Sequence, residues 1–265
     1  MATIWEETKV QGSKMKGRPL KEKLAYFWEY YKIQTMIAVG VIVIAASLIH
    51  SWVTYKDYAL CIVEVNSIAD SIGGVTETWK YDLTELLDFD TDDYEIDIDT
   101  SLMLGSDTSS ANAEYASAQK MAALLSSKSI DIFIADTPVF EQYAQNGSFS
   151  DLRDIYSYEE LSAMEGRIYY TDAGTFSDYD ETDLNVTEKQ AGYTIDHHDP
   201  STMKDPIPVG FFADENTRIG ASGIYGHLSE SDTYQGYRTE PIIGIPANTT
   251  RLEAALTGLE YLMNQ

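Results

Sequence analysis

Three pairs of polar residues lie directly after three strand-like runs of the chain. The pairs are Asn66 and Ser67, Thr100 and Ser101, and Asp136 and Thr137. Their amide, hydroxyl and carboxyl groups supply hydrogen-bond donors and acceptors for a small ligand. If the runs are parallel strands, these residues lie outside the carboxyl ends of the sheet, where ligands of open α/β folds bind. We therefore predict a non-catalytic ligand-binding site formed by these six residues.

The same residue types also favour helix N-caps, where a side-chain oxygen accepts a hydrogen bond from a free backbone amide. Asp136 directly precedes Thr137 and Pro138, and proline is favoured in the first turn of a helix. Capping is the preferred interpretation of the Asp136 carboxylate, and ligand contact is the alternative.

Motifs for catalysis or metal binding are absent from the sequence. It contains no G-x-S-x-G, H-E-x-x-H, Walker or dinucleotide-binding motif. His197 and His198 are adjacent, so in an extended chain their side chains would point to opposite sides. The acidic run 88–93 lacks the glycine and glutamate of a calcium loop, whereas residues 177–183 are oxygen-rich and could hold Ca²⁺. We expect no catalytic residue, no cofactor and no metal site.

The polar pairs are positioned by strands that alternate with helices. Residues 58–66 form a near-continuous apolar run, which is typical of a central parallel strand. Residues 93–101 alternate apolar with acidic side chains, which indicates an edge strand. A third strand is predicted over 130–135, and helical periodicity follows each strand. We predict an α/β fold with a parallel-rich sheet and flanking helices.

The second half of the chain is less regular. Residues 166–205 show weak periodicity, short strands are expected at 207–212 and 241–246, and an amphipathic helix closes the chain. Tyrosines crowd the irregular region. They favour recognition of a sugar, a peptide or a protein, or alternatively packing at the base of loops. A small subdomain over 166–240 is an alternative to one continuous domain.

Near the amino end, residues 33–55 carry no formal charge and are rich in Ile, Val and Ala. About 20 helical residues cross the hydrocarbon core of a bilayer, and aromatic residues flank this run as in an interfacial belt. We predict a cytoplasmic tail and juxtamembrane helix over 1–32, a transmembrane helix over 33–55 that contacts membrane lipid, and an extracytoplasmic domain over 56–265.

Charge is divided unevenly between the two sides of this helix. Residues 1–33 carry net +3, and the remainder carries net −28. Basic residues beside a span stay in the cytoplasm, so we expect a single-pass protein of the cell membrane with its amino terminus inside and its acidic domain outside. A strongly acidic domain repels nucleic acid, which we exclude as a partner.

Two segments resemble the extracellular solute-binding proteins of bacterial ABC importers, in particular one lobe of the type II class. The segment AQKMAALLSSKSIDIFIADTPVFEQYAQNGSFSDLRDI is similar to that family's helix, strand, helix and G-x-L-x-D-L turn. The tail IGIPANTTRLEAALTGLEYLMNQ is similar to its returning strand and helix. The chain departs from that family in two ways: it is short for two full lobes, and it has a membrane helix in place of a lipoprotein signal. We therefore expect a relative that is reduced to roughly one lobe.

We therefore predict a membrane-anchored recognition domain, solute-binding-like and not an enzyme, for a small molecule, peptide or sugar. One alternative is an assembly protein that uses its span and tail to bind a membrane partner and has no small ligand. Another is a membrane-tethered hydrolase built on a serine–lysine or carboxylate pair, for which the sequence shows no signature motif.

Overall fold

The computed structural model describes residues 19–105, 111–173, 195–226 and 240–264. The chain divides into two units at Tyr55 and Lys56. The oxygen-rich segment 177–183 lies outside the described residues.

The first unit contains one long helix, α1, over Leu20–Val53. Its backbone runs without a break from the juxtamembrane segment into the apolar one, as the sequence predicts. The window Lys32–Val53 is long and apolar enough to cross a membrane, and none of it is buried. Exposed apolar side chains such as Ile37 and Ile44 are unfavourable in water, but they match the interior of a bilayer.

The second unit is built on one six-stranded sheet with the order β2-β1-β3-β6-β5-β4. The strands are β1 (Asp57–Val65), β2 (Tyr94–Leu102), β3 (Ile132–Ala135), β4 (Ile168–Asp172), β5 (Pro206–Phe212) and β6 (Ile242–Gly244). As the sequence predicts, β2 lies at an edge of the sheet and β1 lies inside it. Leu60 and Ile62 of β1 pack in the core on one face, and Cys61, Val63 and Val65 pack on the other.

Helices cover both faces of the sheet, which confirms the α/β prediction. The helices of this unit are α2 (Ala69–Ile72), α3 (Val75–Leu87), α4 (Ala111–Ser126), α5 (Thr137–Gln145), α6 (Tyr158–Ala163), α7 (Arg218–Ser222) and α8 (Leu252–Met263). Helices α3, α7 and α8 contribute buried residues to one face, and α4 and α5 contribute them to the other.

The three strands β2, β1 and β3 pair in parallel, and the other half of the sheet is antiparallel. β1 pairs in parallel with β2 and β3, whereas β6, β5 and β4 add antiparallel pairings. The parallel-rich prediction missed β4, because residues 168–172 mix tyrosines with polar residues and lack a clear alternation. β4 and β5 continue the same sheet, so the described parts of 166–240 belong to this sheet and do not form a separate core.

Helix α8 lies close against the parallel half of the sheet at Gly258. A Cβ at this position would come within 2.8 Å of the Ile132 side chain and 2.9 Å of the Leu60 side chain. Glycine at this position lets α8 approach β1 and β3 closely, and a larger residue would require the ends of the Ile132 and Leu60 side chains to shift.

One buried carboxylate ties three parts of this unit together. Asp131, fully buried just before β3, accepts hydrogen bonds from the Cys61 amide at 2.8 Å and the Thr249 hydroxyl at 2.6 Å. The Arg251 guanidinium forms an ion pair with it at 2.8 Å and also donates to the Ser129 carbonyl. The start of β3 is thus joined to β1 and to the segment that leads into α8.

Asp131→Ala should lower the free energy of unfolding by about 3–5 kcal/mol, because it removes one partner of a buried pair and leaves buried donors unsatisfied. Urea unfolding followed by circular dichroism measures the change. Asp151→Ala is the matched control, since Asp151 also pairs with an arginine, Arg153, at 2.6 Å but lies near the surface. Asp151 also caps the turn of residues 152–154 through the Arg153 amide, so the control should lose about 1–2 kcal/mol. Equal losses in both variants would contradict a special role for Asp131.

Candidate functional site

The carboxyl ends of β1, β2 and β3 meet at one edge of the sheet, because these strands are parallel. The antiparallel β5 also ends at this edge, and β6 begins there. The loops after β1, β2 and β3 therefore lie next to the segments 213–217 and 240–241. Four of the six residues that the sequence predicts for the site follow β1 and β3 at this edge. Thr100 and Ser101 lie within the end of β2, which continues to Leu102.

Asn66 and Asp136 are brought into contact at this edge. The Asn66 side-chain amide donates to the Asp136 carboxylate at 3.1 Å and to the Leu104 carbonyl at 2.7 Å, and its oxygen accepts from the Leu104 amide at 2.9 Å. Asn66 has a left-handed backbone with φ of 60°, which asparagine tolerates better than most residues. One side chain thus connects the ends of β1 and β3 with the loop after β2.

The capping hypothesis for Asp136 is wrong. Asp136 occupies the N-cap position of α5, but its side chain makes no hydrogen bond to the amides of the first turn. The carboxylate is turned toward Asn66 instead. Burial raises the pKa of Asp136 above its usual value, although the Asn66 hydrogen bond opposes that rise.

The other four predicted residues each bond to a different neighbour within the chain. Ser67 donates to Glu64, Thr100 donates to Asp70, and Thr137 donates to the Glu240 carbonyl. Ser101 donates to Asp99 and accepts from Lys120. Thr100 and Ser101 are thus held by contacts of their own, apart from the Asn66–Asp136 contact.

Glu64 is the residue at this edge that the sequence prediction missed. It is fully buried at the end of β1. One of its carboxylate oxygens accepts from the Ser67 hydroxyl at 2.8 Å, and the other has no hydrogen-bond partner among the described residues. Burial raises its pKa to about 7, and the nearby negative charge of Asp70 adds to the rise. A glutamate within the apolar run of 58–66 is the signal that could have revealed it.

Tyr225 packs against the core at this edge and also lines an accessible cavity. Its hydroxyl donates to the Ile134 carbonyl at 3.0 Å, and the adjacent Ile224 carbonyl accepts from the Ile68 amide at 2.8 Å. Burial raises the pKa of Tyr225 well above its usual value, and the charges of Glu64 and Asp136 raise it further. The loop after α7 is thereby fixed against the ends of β1 and β3.

A cavity of about 480 Å³ opens beside Tyr225. Its lining includes the acidic residues Asp214, Glu215 and Glu240 and the apolar residues Ile219 and Pro241. Glu240 is also the residue whose carbonyl binds Thr137. The cavity is within the usual size range for small-ligand sites, and its many acceptor oxygens suit a ligand that is rich in hydrogen-bond donors.

The two adjacent histidines have a packing role. His197 stacks on Tyr169 at 4.5 Å between ring centroids, and His198 stacks on Phe212 at 3.7 Å. The Asp199 amide donates to the Asp196 carbonyl, so the chain turns at the two histidines and is not extended. Both rings therefore pack on the same aromatic cluster, whereas an extended chain would place them on opposite sides. Among the described residues, no group of three or more histidine, cysteine or acidic side chains could hold a metal ion.

Some tyrosines of the second half of the chain pack in the core, and another is exposed as a recognition residue would be. Tyr169 is fully buried, Tyr156 and Tyr170 are half-buried in the core, and Tyr158 is 86% exposed. Tyr179 and Tyr193 lie outside the described residues.

Comparison with known proteins gives no relative for this chain: no family model, no curated protein and no solved structure matches it.

Glu64 should make the stability of the protein dependent on pH. Its pKa in the folded state, about 7, lies above the ordinary value of 4.5, so the folded state binds the proton more tightly than the unfolded state. Stability from this group is complete below pH 4.5 and is lost as the pH rises through 7. Relative to Glu64→Gln, the wild type should lose about 3 kcal/mol between pH 4.5 and pH 8.

Thermal unfolding of both proteins across this pH range measures the difference, which corresponds to a relative shift of roughly 6–12 °C. Glu95→Gln is the matched control, because Glu95 lies exposed on β2, and its stability should follow that of the wild type. Parallel pH profiles for the wild type and Glu64→Gln would show that the Glu64 carboxyl titrates normally.

Proposed function

We propose that this protein is a membrane-anchored recognition domain that binds a small ligand at the carboxyl edge of its sheet and is not catalytic. The contact between Asn66 and Asp136 carries the proposal. It joins residues 70 positions apart in sequence at the edge where α/β folds bind ligands, next to an acceptor-lined cavity of about 480 Å³.

The solute-binding resemblance supports this proposal at the level of topology. The tail of the chain supplies a returning strand, β6, that pairs with β3, followed by a helix, α8, against the same sheet. That order agrees with the one expected from the resemblance. The described residues of this unit build one sheet, which fits a relative reduced to a single lobe.

Two features favour placement in the cell membrane with the acidic domain outside. α1 is long and apolar enough to span a bilayer, and net +3 on residues 1–33 contrasts with net −28 on the remainder. Since basic flanks stay in the cytoplasm, the sheet domain projects outward. Membrane lipid is then the partner of residues 33–55.

A hydrolase has weaker support from the geometry. Ser67 and Glu64 form a hydroxyl–carboxylate pair at 2.8 Å, but both are buried and neither lines the 480 Å³ cavity. A nucleophile must reach its substrate, so this pair is better explained as a structural contact.

Ligand binding should raise the melting temperature of the full-length protein in detergent. At a free concentration of 100 times Kd, binding adds about 2.7 kcal/mol, which corresponds to roughly 5–11 °C for a domain of this size. Thermal unfolding against a panel of sugars, polyols, amines, short peptides and divalent ions measures the shift. Glu240→Gln, which removes a carboxylate from the cavity lining, should weaken it, whereas Asp154→Asn, an exposed surface change, should not. If no compound of the panel shifts the transition, binding at this edge is refuted.

The orientation is tested by labelling single cysteines in intact cells. Cys61 is the only native cysteine and is buried, so Cys61→Ala provides a background for Ser13→Cys or Thr91→Cys. A membrane-impermeant maleimide should label the variant at position 91 in intact cells. It should label the variant at position 13 only after permeabilisation. The reverse pattern would place the acidic domain in the cytoplasm.

A further inference from the structure

A second cavity, separate from the proposed site, lies between α6 and α8 over the end of β5. Its volume is about 530 Å³, within the range of small-molecule sites. The walls are largely apolar and include Phe211, Leu256, Leu259, Met164 and Met263. Such walls favour a ligand with a large apolar group.

Arg167 brings an uncompensated positive charge to this cavity. One terminal nitrogen of its guanidinium donates to the Met263 carbonyl at 3.0 Å. Its Nε is buried and has no hydrogen-bond partner among the described residues. A buried donor without a partner is destabilising, and buried arginines are usually paired with an anion. An anionic group on a ligand would compensate the charge of this guanidinium.

Two carboxylates line the same cavity without neutralising Arg167. Glu160 and Glu260 are both lining residues, and neither forms an ion pair with Arg167 among the contacts of the described residues. Both charges contribute to raising the pKa of Tyr156, whose main cause is burial. Glu160 already accepts hydrogen bonds from the Ser157 amide at 2.8 Å and from its hydroxyl at 2.7 Å. The lining therefore offers Arg167 to an anion and chiefly Glu260 to a cation.

Charge complementarity restricts the ligand. A simple carboxylic acid would satisfy Arg167 but would be repelled by the two glutamates. A simple amine would leave the Arg167 guanidinium without an anion. A molecule with one ammonium, one carboxylate and an apolar body matches the whole lining and needs no net transfer of charge into the cavity.

We propose that this cavity binds a free α-amino acid with a large apolar side chain. The carboxylate pairs with Arg167, the ammonium faces Glu260, and the side chain packs against Phe211 and Leu256. The site is independent of the one proposed at the carboxyl edge.

Isothermal titration of the full-length protein in detergent tests this with phenylalanine and leucine as probes. Both should bind, glycine should not, and N-acetylphenylalanine and phenylalaninamide should each bind at least 10-fold more weakly than phenylalanine. Arg167→Gln should weaken phenylalanine binding at least 10-fold. Arg153→Gln is the matched control, because Arg153 pairs with Asp151 outside the cavity, and its affinity should equal that of the wild type.

Arg167 also holds the end of α8, so a second variant separates binding from folding. Ala163 is exposed at the lining, and Ala163→Trp should block the cavity while the melting temperature stays near that of the wild type. No heat with either probe, unchanged affinity in both variants, or tighter binding of N-acetylphenylalanine would each overturn the amino-acid assignment. None of these results bears on the carboxyl-edge site, whose test uses Glu240→Gln.

Discussion

The arrangement of the sheet domain depends on the buried carboxylate of Asp131. A carboxylate without solvent is tolerated only when donors replace its water, and here an amide of β1, a threonine hydroxyl and an arginine do so. These donors come from distant parts of the chain, so they can reach one carboxylate only when β1, β3 and the segment before α8 are all in place. The interaction therefore fixes the relative positions of the elements as well as their stability.

The fixed arrangement of β1 and β3 also determines what lies at their carboxyl ends, away from Asp131. With Ile62 opposite Ile132 and Glu64 opposite Ile134, β1 and β3 end at the same level, and Asn66 reaches Asp136. A shift by one residue would exchange the two faces of β1 and move Glu64 from the face that Tyr225 covers. The register set near Asp131 thus determines which polar groups meet at the carboxyl edge.

Sequence patterns predict the parallel half of this fold well and the rest poorly. The apolar run of 58–66 and the alternation of 93–101 have the periods of a central and an edge strand, and the closeness of Asn66 to Asp136 follows from the rule for parallel strands. The side-chain partner of Asp136 could not be predicted, because a local preference for capping competed with a residue 70 positions away. Arg167 could not be singled out from the sequence, since a buried atom without a hydrogen-bond partner is a property of the packed chain. Glu64 had a signal, because it is a glutamate within the apolar run of 58–66.

Two buried carboxylates at the ends of neighbouring strands, Asp131 just before β3 and Glu64 in β1, are accommodated in two different ways. Asp131 has an arginine and two further donors, so its charge is compensated within the chain. Glu64 has one hydroxyl donor and a nearby Asp70, and its pKa rises to about 7. Because both residues lie at ends of adjacent strands, the sheet has one end that is held by ionic contacts and one end where a carboxyl is partly protonated near neutral pH. The end with Glu64 is therefore the one whose stability changes with pH near neutrality, whereas the charge of Asp131 is already satisfied by donors within the chain.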